Sequence, residues 1–235
     1  MIEHGGLKPC EVSFFTQRDG YGDAGFLGGI EALKRNGLQR ENDVAHGRYE
    51  RNTVAVEHGL AEVLLHRNAP KAIIMVGAYA PCARFIQLAR SMEYEGIFLN
   101  VSFVGSNSLA KALGEEVEGV IVTQVVPHPE SNSQLAEDYR QALNAWDANK
   151  KLDHGSFEGY IAARILALAF SRIASRVTRE TSIQSLETLG EFNIGFDQTL
   201  ILSATEHQAS HSVWPTILRG GAFVPFNWKQ LEQMQ

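Results

Sequence analysis

The sequence predicts an α/β protein whose main part is a doubly wound parallel sheet. Short apolar runs that suit buried strands alternate with amphipathic segments that suit helices through the first half of the chain. The clearest strands are the continuous apolar runs at 72–76 (AIIMV) and 119–124 (GVIVTQ). Parallel strands are covered on both faces and are joined by helical crossovers, so this alternation indicates a parallel sheet over residues 9–125.

The first elements can be placed from local signals. A strand is predicted at 10–17, followed by turn residues at 19–20 and by an amphipathic helix that stops at Gly37. A second strand is predicted at 43–51, and residues 52–53 (NT) offer an N-cap to the next helix. The elements predicted after these are the strand at 72–76, a helix at 81–92, a strand at 96–99, a helix at 109–113 and the strand at 119–124.

The character of the chain changes at 126–129 (VPHP). Residues 126–204 supply apolar helices and almost no strand. Their helices are predicted at 133–146, 157–175 and 179–189. The middle helix is apolar on most faces, which predicts burial on several sides, yet no sheet to cover it is evident in the sequence. The chain then returns to a hairpin with a glycine turn at 213–225 and a short polar helix or frayed tail at 228–235.

The bulk composition excludes several classes of function. The net charge of −6 and the absence of any Lys/Arg run argue against a nucleic-acid partner, since phosphate binding depends on clustered cations. No stretch approaches the roughly 20 apolar residues of a membrane-spanning helix. The N-terminal residues 1–6 (MIEHGG) have neither a basic region nor an apolar core, so no secretory signal is predicted in this chain. Taken alone, these features indicate a cytoplasmic protein.

The sequence predicts no cofactor and no catalytic centre. Cys10 and Cys82 lack metal-ligand spacing and are interpreted as two buried small side chains, with a disulfide in an oxidising compartment as the alternative. The glycines of residues 20–22 (GYG) lack both the dinucleotide-binding pattern and the lysine of a phosphate-binding loop. No nucleophile elbow or zinc-protease motif is present, so an enzyme is not supported.

Two histidines could suggest a metal site. His207 and His211 stand four residues apart beside Glu206, a spacing that on a helix would bring ligands together. The surrounding residues are typical of a loop, and no third ligand is assigned. The sequence therefore favours a solvated or hydrogen-bonding loop over a metal site.

Six local motifs occur in a fixed order across nearly the whole chain. They are DGYG at 19–22, VGAY at 76–79, FLNVSFVG at 98–105, EGVIVT at 118–123, EGYIAA at 158–163 and SATEHQ at 203–208. Each motif is weak alone. Their order and spacing resemble the leucine/isoleucine/valine-binding branch of the type I periplasmic binding proteins, which supply ligands to ABC transporters.

This resemblance implies two α/β lobes joined by three crossings, with a ligand trapped between them. Residues 9–125 and 205–226 would form the second lobe, and residues 126–204 would be the helical remainder of an incomplete first lobe. The sheet of the first lobe would precede residue 9, together with a signal peptide. A missing sheet would explain why the apolar helices lack cover. The family also implies a periplasmic location.

The resemblance points to three ligand-binding residues on the second lobe. Tyr21 and Tyr79 match tyrosines that close over the ligand, and both follow predicted strands at the edge where open α/β sheets bind ligands. The alternative is that each is an ordinary loop residue. Ser102 occupies the position where amino-acid-binding members carry a carboxylate for the ammonium group. A hydroxyl cannot neutralise a cation, so an amide, a carboxylate or an aromatic acid is favoured over an α-amino acid.

The resulting hypothesis is a solute-binding component of an ABC-type uptake system for amino acids or related small polar molecules. Its partners would be a small-molecule ligand and the permease subunits in the membrane. One alternative is a ligand-sensing regulatory domain of the same fold, and another is a truncated product with little function. Because half a cleft cannot enclose a ligand, we expect weak or no ligand affinity for this chain alone.

Overall fold

The computed structural model describes residues 1–114 and 117–233. The chain divides into two compact units. One comprises Met1–Gln124 and Pro215–Gln235 and is called the sheet unit below. The other comprises Val125–Trp214 and is called the helical unit.

The sheet unit confirms the predicted α/β class, with a mostly parallel sheet and helices in its connections. Its elements in chain order are α1 (Ile2–Gly5), β1 (Val12–Gln17), α2 (Gly20–Arg35), β2 (His46–Tyr49), α3 (Glu57–Leu64), β3 (Ala72–Val76), α4 (Tyr79–Ser91), β4 (Ile97–Val101), α5 (Ser106–Leu113) and β5 (Ile121–Gln124). Among the described residues, the sheet has seven strands. Two of them come from the end of the chain, namely β8 (Trp214–Arg219) and β9 (Ala222–Pro225).

The order of strands across this sheet is β2-β1-β3-β4-β5-β8-β9. The pairs from β2 to β5 are parallel, and the predicted hairpin is present as the antiparallel pair β8–β9. Consecutive residues of a strand point to opposite faces. Phe14 accordingly packs with Ile30 and Leu33 of α2 on one face, whereas Phe15 contacts Phe85 of α4 on the other face at 4.2 Å between ring centroids. Helices therefore cover both faces, as a doubly wound sheet requires.

Within the sheet unit, two helix starts differ from the sequence prediction by three residues or more. The helix after β2 begins at Glu57, not after an N-cap at 52–53. Asn52 has a φ of +62°, and the hydroxyl of Thr53 donates to the carbonyl of Glu50 at 2.7 Å, so this pair closes a turn. Helix α5, by contrast, starts earlier than predicted, at Ser106. The serines and asparagine before Leu109 are typical of loops, but here they are helical.

The helical unit contains α6 (Gln134–Trp146), α7 (His154–Ser171), α8 (Arg179–Glu187), β6 (Gly190–Phe192) and β7 (Leu200–Leu202). Strands β6 and β7 pair antiparallel, with Gly190 opposite Leu202. The prediction of almost no strand in residues 126–204 missed this pair. Three-residue strands are too short to show the alternating pattern from which a strand is recognised.

Helix α7 is buried along one stripe only, so the prediction that it is buried on several sides was wrong. The side chains of His154, Phe157, Ile161 and Ala169 are buried, and they recur at the spacing of a single helix face. Leu166 is 41% exposed. In the described part of the helical unit the sheet has two strands, which cannot cover an apolar helix on its remaining sides.

The remaining segments are short. The tail forms a 3-10 helix over Trp228–Gln233, and the last part of the predicted tail helix, residues 234–235, lies outside the described residues. None of the helices in the described ranges combines the length and the apolar character needed to cross a membrane.

Candidate ligand-binding site

The three predicted ligand-binding residues lie at one edge of the sheet. Tyr21 is in the first turn of α2 after β1, Tyr79 is the first residue of α4 after β3, and Ser102 begins a 3-10 turn after β4. Strands β1, β3 and β4 are neighbours in the sheet, so their carboxyl ends are side by side. Open α/β sheets bind ligands at this edge. No hydrogen bond or ring contact joins any two of these three described side chains.

The position of Tyr21 is set by the residues just before it. Asp19 caps α2, and its Oδ1 accepts hydrogen bonds from the backbone N–H groups of Tyr21 and Gly22, both at 3.1 Å. The bond from Gly22, followed by one from the Gln17 side chain and then the bond from Tyr21, holds the pKa of the Asp19 carboxyl below its usual range. Gly22 is required because a Cβ there would lie 1.9 Å from the carbonyl oxygen of Gln17. The turn between β1 and α2 therefore has a single tight conformation.

The hydroxyl of Tyr21 is not offered to a ligand in this structure. Its oxygen is buried and has no hydrogen-bond partner among the described residues. Burial is the main reason that the pKa of Tyr21 is raised, with the nearby Cys82 and Tyr49 adding to it. The ring of Tyr21 instead contacts Phe103, at 5.0 Å between centroids and an interplanar angle of 55°. A ligand that reaches Tyr21 here meets its ring and not its hydroxyl.

Tyr79 and Phe103 are the exposed aromatic residues of this edge. Tyr79 is 45% exposed and Phe103 is 78% exposed. Ser102 was predicted from the sequence as a ligand-binding residue, whereas the adjacent Phe103 was not. The available signal was a large aromatic side chain in the loop after a buried strand, where a soluble protein more often places a polar residue.

A buried hydrogen-bond chain joins the loops that carry the two candidate tyrosines. The backbone N–H of Ala78 donates to the hydroxyl of Tyr49 at 3.0 Å, and that hydroxyl donates to Oε1 of Gln17 at 2.8 Å. The amide nitrogen of Gln17 then donates to Oδ2 of Asp19. Tyr49 is almost fully buried, and burial raises its pKa to about 12, so it remains a neutral phenol. This hydrogen-bond chain links the carboxyl ends of β1, β2 and β3.

The charged residues at the β1–β2 end of this edge are paired. Arg18 bonds Glu50 at 2.9 Å, and Arg48 bonds Asp23. Each of these charges therefore already has a counter-ion within the protein. The side chains that follow β3 and β4 are neutral, namely Tyr79, Ser102 and Phe103.

The histidines near the end of the helical unit do not form a metal site. Nε2 of His207 lies 3.2 Å from a Glu187 oxygen, and Nε2 of His211 lies 3.4 Å from a Glu206 oxygen, so the two rings face different carboxylates. Within the described ranges, no group of three or more His, Cys, Asp or Glu side chains is arranged to hold a metal ion.

The two cysteines are free thiols. Cys10 is half-buried and Cys82 is buried. Burial raises the pKa of Cys82, which keeps it in the thiol form. Cys82 therefore matches the interpretation as a small buried side chain, whereas Cys10 does not, because it is only half-buried, and the alternative disulfide is not formed.

The sequence profile of a family described as periplasmic binding protein matches residues 6–222. The chain belongs to the periplasmic binding protein family. This finding confirms the resemblance that the six motifs indicated. A search of curated proteins gives no match for this family member.

Solved structures agree with this assignment. A possible leucine/isoleucine/valine-binding protein from Rhodopirellula baltica SH 1 is 43% identical, with a TM-score of 0.95, over 98% of this chain and 62% of that one. A leucine binding protein from Thermotoga maritima MSB8 is 22% identical with a TM-score of 0.77, over 92% of this chain and 59% of that one. A fatty acid ABC transporter substrate-binding protein from Thermomonospora curvata is 17% identical with a TM-score of 0.78, over 94% and 58%. The last two show the fold alone. The binding protein described here spans about three fifths of the length of these relatives.

Proposed function

We propose that this chain is part of a solute-binding component of an ABC-type uptake system, and that Tyr21, Tyr79 and Ser102 are its ligand contacts on the second lobe. The observation that carries the proposal is their common position at the carboxyl ends of β1, β3 and β4. Ligands of open α/β sheets bind at that edge. The role is binding without catalysis, because the site supplies neutral contact surfaces and no paired acid and base.

The lobes are assigned from the family resemblance. Residues 9–125 and 205–226 form the second lobe in this proposal, and residues 126–204 are the helical remainder of the first lobe. The compact units themselves change over between Trp214 and Pro215, the first two residues of β8. Residues 205–214 therefore belong to the second lobe in the family-based assignment and to the helical unit in the structure.

The exposed apolar face of the helical unit supports an incomplete first lobe. Leu166 of α7 and Ile183 of α8 are 41% and 45% exposed, and Ala162, Ala163 and Ala167 on α7 are exposed as well. Exposed apolar area of this kind is normally covered. We propose that the occupant of this face is the first-lobe sheet of a longer chain, because the relatives are substantially longer than this one.

The proposed ligand is a small polar molecule without an ammonium group near Ser102. The Rhodopirellula relative is described as possibly binding leucine, isoleucine or valine, and the Thermomonospora protein as binding fatty acids. Both kinds of molecule carry a carboxylate and an apolar end. Since the Ser102 hydroxyl cannot neutralise a cation, the proposal favours an amide, a carboxylate or an aromatic acid.

Location and partner follow from the family. Periplasmic binding proteins act outside the cytoplasmic membrane, and we propose the same location here. The proposed partner is the pair of permease subunits to which an ABC-type binding protein delivers its ligand. Closure of two lobes over the ligand would create the surface that the permease recognises.

The test is a comparison of this chain with a version extended upstream in its own reading frame to the length of the Rhodopirellula relative. Isothermal titration would use a panel of amino acids, amides and carboxylic acids. We expect the extended protein to bind at least one solute with roughly micromolar affinity, and this chain alone to bind about a thousandfold more weakly. Tyr79→Ala in the extended protein should weaken binding at least about tenfold. Met92→Ala, at the other end of α4 and 58% exposed, is the matched control.

Two results would contradict the proposal. Micromolar binding by this chain alone would show that the first lobe needs no further residues. Failure of the extended protein to bind any solute of the panel would remove the transport role. If upstream sequence in the same frame is absent, the incomplete-lobe assignment is wrong.

A further inference from the structure

Phe103 is the most exposed aromatic residue at the candidate site. Phe103 is 78% exposed, whereas the next residue, Val104, is buried. A short 3-10 turn produces this difference: the carbonyl of Ser102 accepts from the N–H of Gly105 at 3.2 Å, and Gly105 has a φ of +77°. The left-handed conformation favours glycine and fixes the turn. Phe103 is therefore directed outward by a defined backbone rather than by a loose loop.

The ring of Phe103 does not stand alone. It contacts the ring of Tyr21, which comes from the loop after a different strand. Strand β3 lies between β1 and β4 in the sheet, so the two rings join the loops on either side of the end of β3. The hydroxyl of Tyr21 is buried without a partner, so the surface formed by this pair is aromatic carbon. This pair is called the aromatic wall below.

The charged groups beside the aromatic wall are already engaged: the Asp19 carboxylate accepts hydrogen bonds from the backbone N–H groups of Tyr21 and Gly22. Ser102 is adjacent to Phe103 in sequence, and the arginines at the β1–β2 end are paired with carboxylates. A planar apolar group gains more from an aromatic surface than an aliphatic group of similar size, because rings stack in offset or tilted arrangements. A cationic group beside Ser102 would lose hydration, and the serine hydroxyl gives it no counter-charge in return.

We propose that Phe103 and Tyr21 select a ligand with an aromatic ring, and that the site takes an aromatic carboxylic acid in preference to an aliphatic acid or an amino acid. Phe103 is the specificity-determining residue. The inference rests on the proposed function, because it assumes that this edge binds the solute. It narrows the three ligand classes given there to one.

Four probes test the preference for an aromatic ring separately from the discrimination against an ammonium group. They are 3-phenylpropionate, 4-methylpentanoate, L-phenylalanine and L-leucine. They combine an aromatic or aliphatic end with the presence or absence of an ammonium group. Amide chemical shifts of the ¹⁵N-labelled chain would be followed during titration, a measurement that detects millimolar affinity. We expect 3-phenylpropionate to bind about fivefold or more tightly than each of the other three, with the largest shifts at residues 21 and 103.

Variants assign the preference to particular side chains. Phe103→Gly should abolish the aromatic preference and keep the discrimination against ammonium, whereas Phe103→Leu, which retains an apolar surface, should reduce the preference only in part. Ser102→Glu should improve binding of L-phenylalanine relative to 3-phenylpropionate. Leu65→Ala is the control, because Leu65 has nearly the same exposure, 79%, and lies at the end of α3.

The outcomes distinguish this inference from the proposed function. Equal affinities for 3-phenylpropionate and 4-methylpentanoate, or an aromatic preference that survives Phe103→Gly, would overturn the inference while leaving a solute-binding role intact. Absence of any shift at residues 21 and 103 with 3-phenylpropionate would also overturn it. If the extended protein binds none of the wider panel of solutes, the proposed function itself fails.

Discussion

The hydroxyl of Tyr49 accepts a hydrogen bond from the backbone N–H of Ala78 at 3.0 Å. Tyr49 ends β2, whereas Ala78 is the N-cap residue of α4, one position before a candidate ligand-binding tyrosine. The same hydroxyl donates to Gln17 at the end of β1. One buried phenol thus fixes the relative positions of two loops that carry candidate site residues, although it does not line the site itself.

Replacing this phenol tests its structural role. Tyr49→Phe removes the acceptor of the Ala78 N–H and the donor to Gln17, and it leaves the ring stacked on Phe15. A buried polar group left without its partner costs about 1–3 kcal/mol, so we expect a loss of that size in the free energy of unfolding by urea. Tyr79→Phe, at an exposed side chain, should change it by less than about 0.5 kcal/mol. Equal effects of the two variants would contradict the assignment.

Two glycines of α2 provide a matched pair. A Cβ at Gly22 would lie 1.9 Å from the carbonyl oxygen of Gln17, whereas a Cβ at Gly28 would have no atom within 4 Å. Gly28→Ala should stabilise the protein by about 0.4–1 kcal/mol, because alanine loses less backbone entropy on folding. Gly22→Ala should destabilise it by more than that amount and displace the Asp19 cap. Thermal unfolding of both variants measures the difference, and a stabilising Gly22→Ala would show that the turn is not tight.

The two sides of helix α7 should differ in their sensitivity to truncation of a side chain. Phe157 is fully buried and stacks on Tyr139 at 4.7 Å, whereas Leu166 is 41% exposed. Phe157→Ala should cost about 3–5 kcal/mol of unfolding free energy, as other large-to-small core substitutions do. Leu166→Ala should cost well under half as much in this chain, because part of its side chain already contacts water. In an extended protein with a complete first lobe, the cost of Leu166→Ala should rise; an unchanged cost would argue against cover on that face.

The stability of the helical unit should fall on mild acidification. Burial, followed by the neighbouring His128, lowers the pKa of His154 from 6.5 to about 4. The unfolded chain, with the ordinary pKa, then binds more protons than the folded chain between these values. The contribution of neutral His154 to the free energy of unfolding is complete above pH 6.5 and is lost as the pH falls towards 4. Urea unfolding across this range, with His154→Gln expected to flatten the slope, checks the prediction; an unchanged slope in the variant would exclude His154 as the source.

The sequence by itself determined the class of the sheet and the edge at which the candidate residues lie. Continuous apolar runs such as 72–76 indicate parallel strands, because a strand that is buried on both faces does not alternate apolar with polar residues. Turn residues then place Tyr21 and Tyr79 immediately after strands. Both signals are local, so they can be recognised without knowledge of the rest of the fold. The six motifs are also local, and for the same reason they indicated the family.

Other features were decided only by the tertiary structure. The contact between Tyr21 and Phe103, the burial of the Tyr21 hydroxyl and the chain from Ala78 to Asp19 join residues that are far apart in sequence. No periodic pattern encodes such pairs, since each depends on the order in which strands assemble. The one-sided burial of α7 is likewise a tertiary property. Its apolar composition shows which side chains the helix could bury, whereas the elements packed around it decide which faces are covered.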